Sequence, residues 1–207
     1  MPMYTASQGD SIPSLAADNG FFWETVWNHP QNAQLKALRK DPNQLMPGDQ
    51  VFVPDLRKKV ESRGTDATHK FKVKGVPIKL KLQLMMLDEP RANEPYVLQI
   101  DGTNMSGTLD GQGKLEVTIP PNAHGGQLIM GGGKEVIPIR LGDLNPVDDL
   151  SGAQQRLNNL GFPCGSEDGN LDDQTSGALR QFQDKYNLPV TGELDAATKA
   201  KLQNLHV

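Results

Sequence analysis

Cysteine is almost missing from this 207-residue chain. Cys164 stands alone, which rules out an internal disulfide and leaves the redox compartment open. No His or basic cluster sits beside it to lower the thiol pKa, so it reads as a small half-buried side chain in a loop. An excess of positive charge is missing too: the net charge of -4 argues against nucleic acid as the main partner. No apolar run approaches the roughly 20 residues that cross a bilayer. Met1-Pro2-Met3 leads into the first predicted strand without a basic n-region, an apolar h-region or a small-residue cleavage site.

The patterns of catalysis are also missing. His29, His69, His124 and His206 fall in separate segments without ligand spacing, so no zinc site is expected and each His reads as a surface residue. Asp148-Asp149 and Asp172-Asp173 are adjacent pairs at predicted helix starts. Complementing the helix dipole explains them more simply than a pair of carboxylates with divergent pKa values. There is no Gly-x-Ser-x-Gly, no Cys-His context and no phosphate loop. The expectation is a non-enzyme with no catalytic residues, no metal and no cofactor.

What the chain does hold is 36% apolar residues with 21 Gly and 15 Pro, a loop-rich globular composition whose length suits two or three small domains. Residues 1–55 predict strand, helix, helix, strand. Asp10 or Ser11 caps a helix that tolerates Pro13 in its first turn, with Ile12, Leu15 and Ala16 facing inward and Gly20 ending it. Phe22 to Asn28 reads as a second short helix in which Trp23 and Trp27 serve mainly as core. Leu35 and Leu38 then mark an extra helical turn or two within Asn32 to Lys40. Residues 56–68 have linker composition.

Residues 69–143 predict about seven short strands. Ile78 to Met86 and Leu115 to Ile119 alternate apolar and polar residues, and Asp101-Gly102 and Asp110-Gly111-Gln112-Gly113 are turns. An antiparallel β-sandwich is the expected architecture. Arg57 to Lys81 holds nine Lys or Arg against two acids. Lys79 and Lys81 read as the solvated face of a strand, with attraction to teichoic acid, lipopolysaccharide or phospholipid as the sharper alternative. Residues 146–207 predict three helices, with stripes at Leu150, Ala153, Leu157 and Leu160, at Ala178, Leu179, Phe182 and Tyr186, and at Ala197, Leu202 and Leu205 behind the cap Asp195.

Three resemblances follow from these residues. Tyr4-Thr5-Ala6-Ser7-Gln8-Gly9-Asp10-Ser11-Ile12 and Leu45-Met46-Pro47-Gly48-Asp49-Gln50-Val51-Phe52-Val53-Pro54 resemble the two ends of a LysM domain. This implies binding to an N-acetylglucosamine polymer such as peptidoglycan through Gly9, Asp10, Ser11 and Ile12 and the facing Leu45, Met46, Pro47 and Gly48. The Asn32 to Lys40 insert departs from a minimal LysM and is placed to narrow or cover that groove. Pro90-Arg91-Ala92-Asn93-Glu94-Pro95-Tyr96, with the turns after it, resembles transthyretin-like or immunoglobulin-like spacers of bacterial surface and injected proteins.

Gln154 to Phe162, Asp168-Gly169-Asn170-Leu171, Thr175, Ala178 to Gln183 and Leu188 to Thr198 resemble the three-helix peptidoglycan-binding domain attached to many wall hydrolases. Asp168, Gly169, Leu171 and Thr175 are the matching motif positions and a second implied wall-binding site. Asp172 departs from the Gly usual there, which puts the shape of the turn in doubt.

The fold expected is therefore multidomain α+β: a βααβ LysM-like unit, an antiparallel β-sandwich and a three-helix bundle. The function expected is non-catalytic peptidoglycan binding by two tethered modules, whose modest affinities combine through effective concentration. Proteins similar to this three-part arrangement accompany contractile injection systems, including type VI secretion. That resemblance implies a spike or toxin partner and action in the periplasm or at the wall after delivery without a signal peptide. The alternatives are a structural adaptor of a contractile tail or baseplate, a toxin-loading partner, and, with least support, a wall hydrolase.

Overall fold

The computed structural model describes residues 3–56, 60, 62–70 and 78–206. Of the basic stretch, Arg57, Lys58, Lys59, Lys72 and Lys74 lie outside the described residues. The chain mixes helices with antiparallel sheets, and its buried apolar side chains collect into three clusters in chain order.

In the first unit, strand β1 (Met3–Thr5) pairs antiparallel with β2 (Gln50–Phe52), Tyr4 opposite Val51. Between them run α1 (Ile12–Asp18), α2 (Trp23–Trp27), a 3-10 turn (Pro30–Asn32) and α3 (Ala33–Arg39). Ser11, not Asp10, caps α1: its hydroxyl accepts from Ser14 N–H, while the Ser14 hydroxyl accepts from Ser11 N–H. Asp10 Oδ2 instead accepts from Ser7 N–H at 2.7 Å and from the Tyr4 hydroxyl at 3.1 Å. Ile12, Leu15, Ala16, Val26, Trp27, Leu35, Leu45, Val51 and Val53 form the core, with Trp23 packed against its side. Buried Asn32 ties the unit together, donating to the Val26 and Phe52 carbonyls and accepting from Phe52 N–H. Leu38 departs from expectation. It is 62% exposed, because α3 ends one residue later at Arg39, with Lys40 in a left-handed conformation, and the next inward turn never forms.

The second unit has a four-stranded antiparallel sheet in the order β10 (Glu135–Arg140), β9 (Gly125–Met130), β6 (Pro95–Ile100), β7 (Thr103–Thr108). It faces the pair β3 (Ile78–Gln83) and β8 (Lys114–Ile119). Tyr96, Leu98 and Ile100 alternate inward from β6 and meet Leu115, Ile119, Leu128 and Met130, with Ile78, Leu80 and Leu82 packed against them. The single strand expected over Ile78 to Met86 breaks at Leu84. Met85–Met86 (β4) folds back on Glu89–Pro90 (β5) in a hairpin whose turn residues, Leu87 and Asp88, both have positive φ. The buried Arg91 guanidinium forks onto Glu94 and reaches Glu135 at 2.8 Å, fixing the corner into β6. Lys79 pairs with Glu116, so the carboxylate partly neutralises the strand's basic face.

In the third unit α4 (Leu150–Asn159), α5 (Asp173–Lys185) and α6 (Ala196–Asn204) share a core of Ala153, Leu157, Phe162, Cys164, Ala178, Leu179, Phe182 and Leu202. The helices begin at Asp149, Asp172 and Asp195, whose carboxylates accept from Ser151, Thr175 and Thr198 N–H. The inward residues of α6 are Thr198 and Leu202, with Leu194 packed against the same core just before the cap. Ala197 and Leu205, expected on that face, are exposed. Cys164 is fully buried rather than half-buried, and its thiol lies 3.3 Å from both the Gln154 carbonyl and Asn158 Oδ1. Among the described residues no helix is long and apolar enough to cross a membrane.

Candidate functional site

Two buried glutamines organise the third unit. Gln154 on α4 accepts at Oε1 from Gly169 N–H (2.8 Å), and its Nε2 lies 3.0 Å from the Asn170 carbonyl and 3.1 Å from Thr175 Oγ1. Gln183 on α5 repeats the device. Its Oε1 accepts from Thr191 and Gly192 N–H, both at 2.9 Å, and its Nε2 lies 3.0 Å from Thr191 Oγ1, the Glu193 carbonyl and Thr198 Oγ1. Both turns read Gly-x-Leu-Asp-x-x-Thr, once from Gly169 to Thr175 and once from Gly192 to Thr198. In each, the Gly has positive φ, the Asp caps the next helix and the Thr is buried. A primary amide suits this post because it offers two donors and two acceptor sites to a turn whose own groups point inward. Neither glutamine was singled out from the sequence. The repeated motif was the available signal.

This clamp sorts the predicted residues of the second site. Thr175 is fully buried against Gln154, so its side chain is a core group and not a contact surface. Gly169 is half-buried with φ +78° and spends its N–H on Gln154. Asp168 and Leu171 do face solvent, Leu171 at 52% exposure. Hydrogen bonds from Asn170 N–H and its side-chain amide hold the Asp168 carboxyl below the usual range. Asp172 adopts φ -88° and ψ 178°, ordinary extended backbone, so a residue other than Gly at this position does not distort the turn. Its pKa is lowered by hydrogen bonding to Thr175.

The loops of the first site are drawn in differently. Ile12 and Leu45 are core residues at 0% and 2% exposure, so neither side chain nor main chain offers a ligand a surface. Of the seven N–H groups on Gly9 to Ile12 and Leu45 to Gly48 (Pro47 has none), five donate inside the protein. Asp10 gives to Ser7 O, Ser11 to Ser14 Oγ, Ile12 to Pro42 O, Met46 to Asp49 Oδ2 and Gly48 to Ala6 O. The Gly9 N–H and the carbonyl oxygens of the loop residues outside the core are what a sugar could use here. Burial works against ionisation of Asp49, yet the hydrogen bonds from Arg39 (2.7 and 2.8 Å) and Met46 N–H outweigh it and hold its pKa low.

The Gly9 loop is also covered by the chain itself. A Cβ on Gly142 would lie 2.2 Å from the Gly9 carbonyl oxygen, and Gln8 Nε2 donates to the Asp143 carbonyl at 3.1 Å. Nearby Arg156, 1% exposed, donates to the Asn145 and Gly152 carbonyls at 2.7 Å and to Gln44 Oε1 at 3.2 Å. Among the described residues it has no carboxylate partner, and burial lowers its pKa to about 10. The Gln44–Arg156 contact joins the first unit to the third, the Asp143 carbonyl accepts from both Gln8 and Gln155 beside it, and between the two units lies a cleft of about 480 Å³. Its walls are the end of α3 and the loop to Met46 on one side, and Pro146 to Asp149 and α6 on the other. Of the eight residues predicted for the first site, Met46 alone lines it.

No group of three or more His, Cys, Asp or Glu among the described residues is placed to hold a metal ion. His29 stacks on Phe52, with ring centroids 4.4 Å apart, and caps the 3-10 turn.

Residues 147–202, from the entry to α4 to the end of the α6 core, match the family model described as "Putative peptidoglycan binding domain". The match takes in both glutamine-clamped turns, α4, α5 and α6 as far as Leu202. No curated protein and no solved structure matches the chain.

Proposed function

We propose that this chain is a non-catalytic peptidoglycan-binding protein, with its principal wall-binding module at residues 147–202. The observation that carries the reading is the family match over that segment, joined to the solvent-facing Asp168 and Leu171 held rigid by Gln154. The first unit acts as a LysM-like glycan reader and the β unit as a spacer. The place of action is the periplasm or cell wall, and the partner machinery is a contractile injection system of the type VI class.

Co-sedimentation of the intact chain with purified sacculi tests this reading. The expected result is pelleting that weakens in the double variant Asp168→Ala, Leu171→Ala, with no release of soluble muropeptides. Intact protein that stays in the supernatant refutes wall binding, and released muropeptides refute the non-catalytic part.

One observation favours a second reading. Because Gly142 and Asp143 lie against the Gly9 loop, that loop serves protein packing in this arrangement. The adaptor reading, in which the first unit grips a spike, baseplate or toxin protein, uses the same kind of contact. Pull-down by a spike or toxin protein together with no affinity for sacculi selects it.

A further inference from the structure

The geometry points to the cleft between the first and third units as the site for the peptide stem of peptidoglycan, bound as a short zwitterionic chain. The inference rests on the wall-binding reading and adds the part of the polymer that is recognised. Its volume of about 480 Å³ falls within the range of roughly 300–1,000 Å³ usual for small-ligand sites. The lining argues against sugar. Pyranose faces favour flat aromatic platforms, and no aromatic side chain lines the cleft.

What lines it instead is paired charge over small apolar ledges. The first-unit wall presents Lys40 and Asp41, and the third-unit wall presents Lys199 and Asp148. Lys40 is exposed and has no ion-pair partner among the described residues. Lys199 and Asp148 stand 3.5 Å apart, a long and partly exposed pair that water screens and a ligand can replace. Leu38, which helical spacing would send to the core, opens onto this cleft beside Met46.

A wall peptide answers each feature. Its terminal carboxylate fits a lysine, the free amine of its diamino residue fits an aspartate, and its alanine methyls fit Leu38 and Met46. Charge on both walls also means that the site exists only while the units are seated together. This gives the contacts Gly9–Gly142 and Gln44–Arg156 a role in recognition.

The test is calorimetric titration of the full chain with a synthetic stem tetrapeptide bearing a free side-chain amine and a C-terminal carboxylate, beside chitotetraose. Sacculus pelleting is run on the same preparations. The variants are Lys40→Glu with Lys199→Glu, and separately Leu38→Asp, and thermal melts confirm that both fold. The tetrapeptide is expected to bind the intact chain and to lose at least tenfold in affinity in each variant. Amidating its terminal carboxylate is expected to weaken it comparably, while any chitotetraose affinity stays unchanged in the variants. Pelleting with no tetrapeptide binding, or with equal binding to the variants, overturns the cleft proposal and leaves wall binding standing. No pelleting by the intact chain overturns wall binding itself.

Discussion

The first and third units both present turns at their surfaces, and they secure them in opposite ways. The third unit hands each turn to one buried glutamine, so that a single side chain satisfies several backbone groups at once. The first unit ties its loops backbone to backbone, through Ile12 to Pro42 and Gly48 to Ala6, and adds the carboxylate of Asp49. The difference shows where fragility resides. A turn clamped by one amide is rigid but depends on one residue, while a loop laced by main chain spreads its support over many.

Gln183→Ala should break the comparison most severely. It strands the Thr191 and Gly192 N–H groups and the buried Thr198 hydroxyl, and a loss of about 3–4 kcal/mol is expected from urea unfolding. Gln154→Ala, with fewer bonds, should lose about 2–3 kcal/mol. An equal loss would mean that the two clamps are not graded by their bonds.

Gly142→Val tests the seat between the units. The Cβ has no room against the Gly9 carbonyl, and φ +75° disfavours any branched residue. Separation of the units, seen as a larger radius of gyration in small-angle scattering with the individual cores retained, is the expected outcome.

Asp49→Asn probes the charged support of the first unit and should cost about 2 kcal/mol through its bonds to Arg39 and Met46. Because the folded pKa of Asp49 is depressed, its contribution is present above the unfolded value near 4 and is lost as pH falls through the folded value. Acid titration of wild type should therefore lose stability below about pH 4, and Asp49→Asn should flatten that limb. Ser11→Ala, removing one half of a reciprocal cap, is the mildest change at about 1 kcal/mol by thermal melt.

Where a pattern repeats every two or every three to four residues, the sequence was legible. The α1 cap, the helix faces of α4 and α5, and the alternation of β3 and β8 all follow from local residues. Strand β7, Thr-Asn-Met-Ser-Gly-Thr, was not legible, because it carries little apolar alternation and among the described residues pairs with β6 alone. Leu38 and Leu205 sit at helical spacing but near helix ends, where the next inward turn never forms. The site was only half legible. Glycine and aspartate announced the turns, but which groups remain available depends on partners up to tens of residues away, as with Asn32 and Phe52 or Gln154 and Thr175. The cleft depends on contacts more than 100 residues apart, such as Gln44 with Arg156, and no local pattern encodes these.

The lone thiol of Cys164 gives the molecule an internal clock. Burial raises its pKa, and the side chain has no exposed surface, so an alkylating reagent can reach it only when α4 lifts from the loop beneath. Its rate of modification in native buffer therefore counts the openings of the third unit alone, one label per molecule. A ligand that holds that unit closed will register as a slower clock, whatever the ligand's own signal.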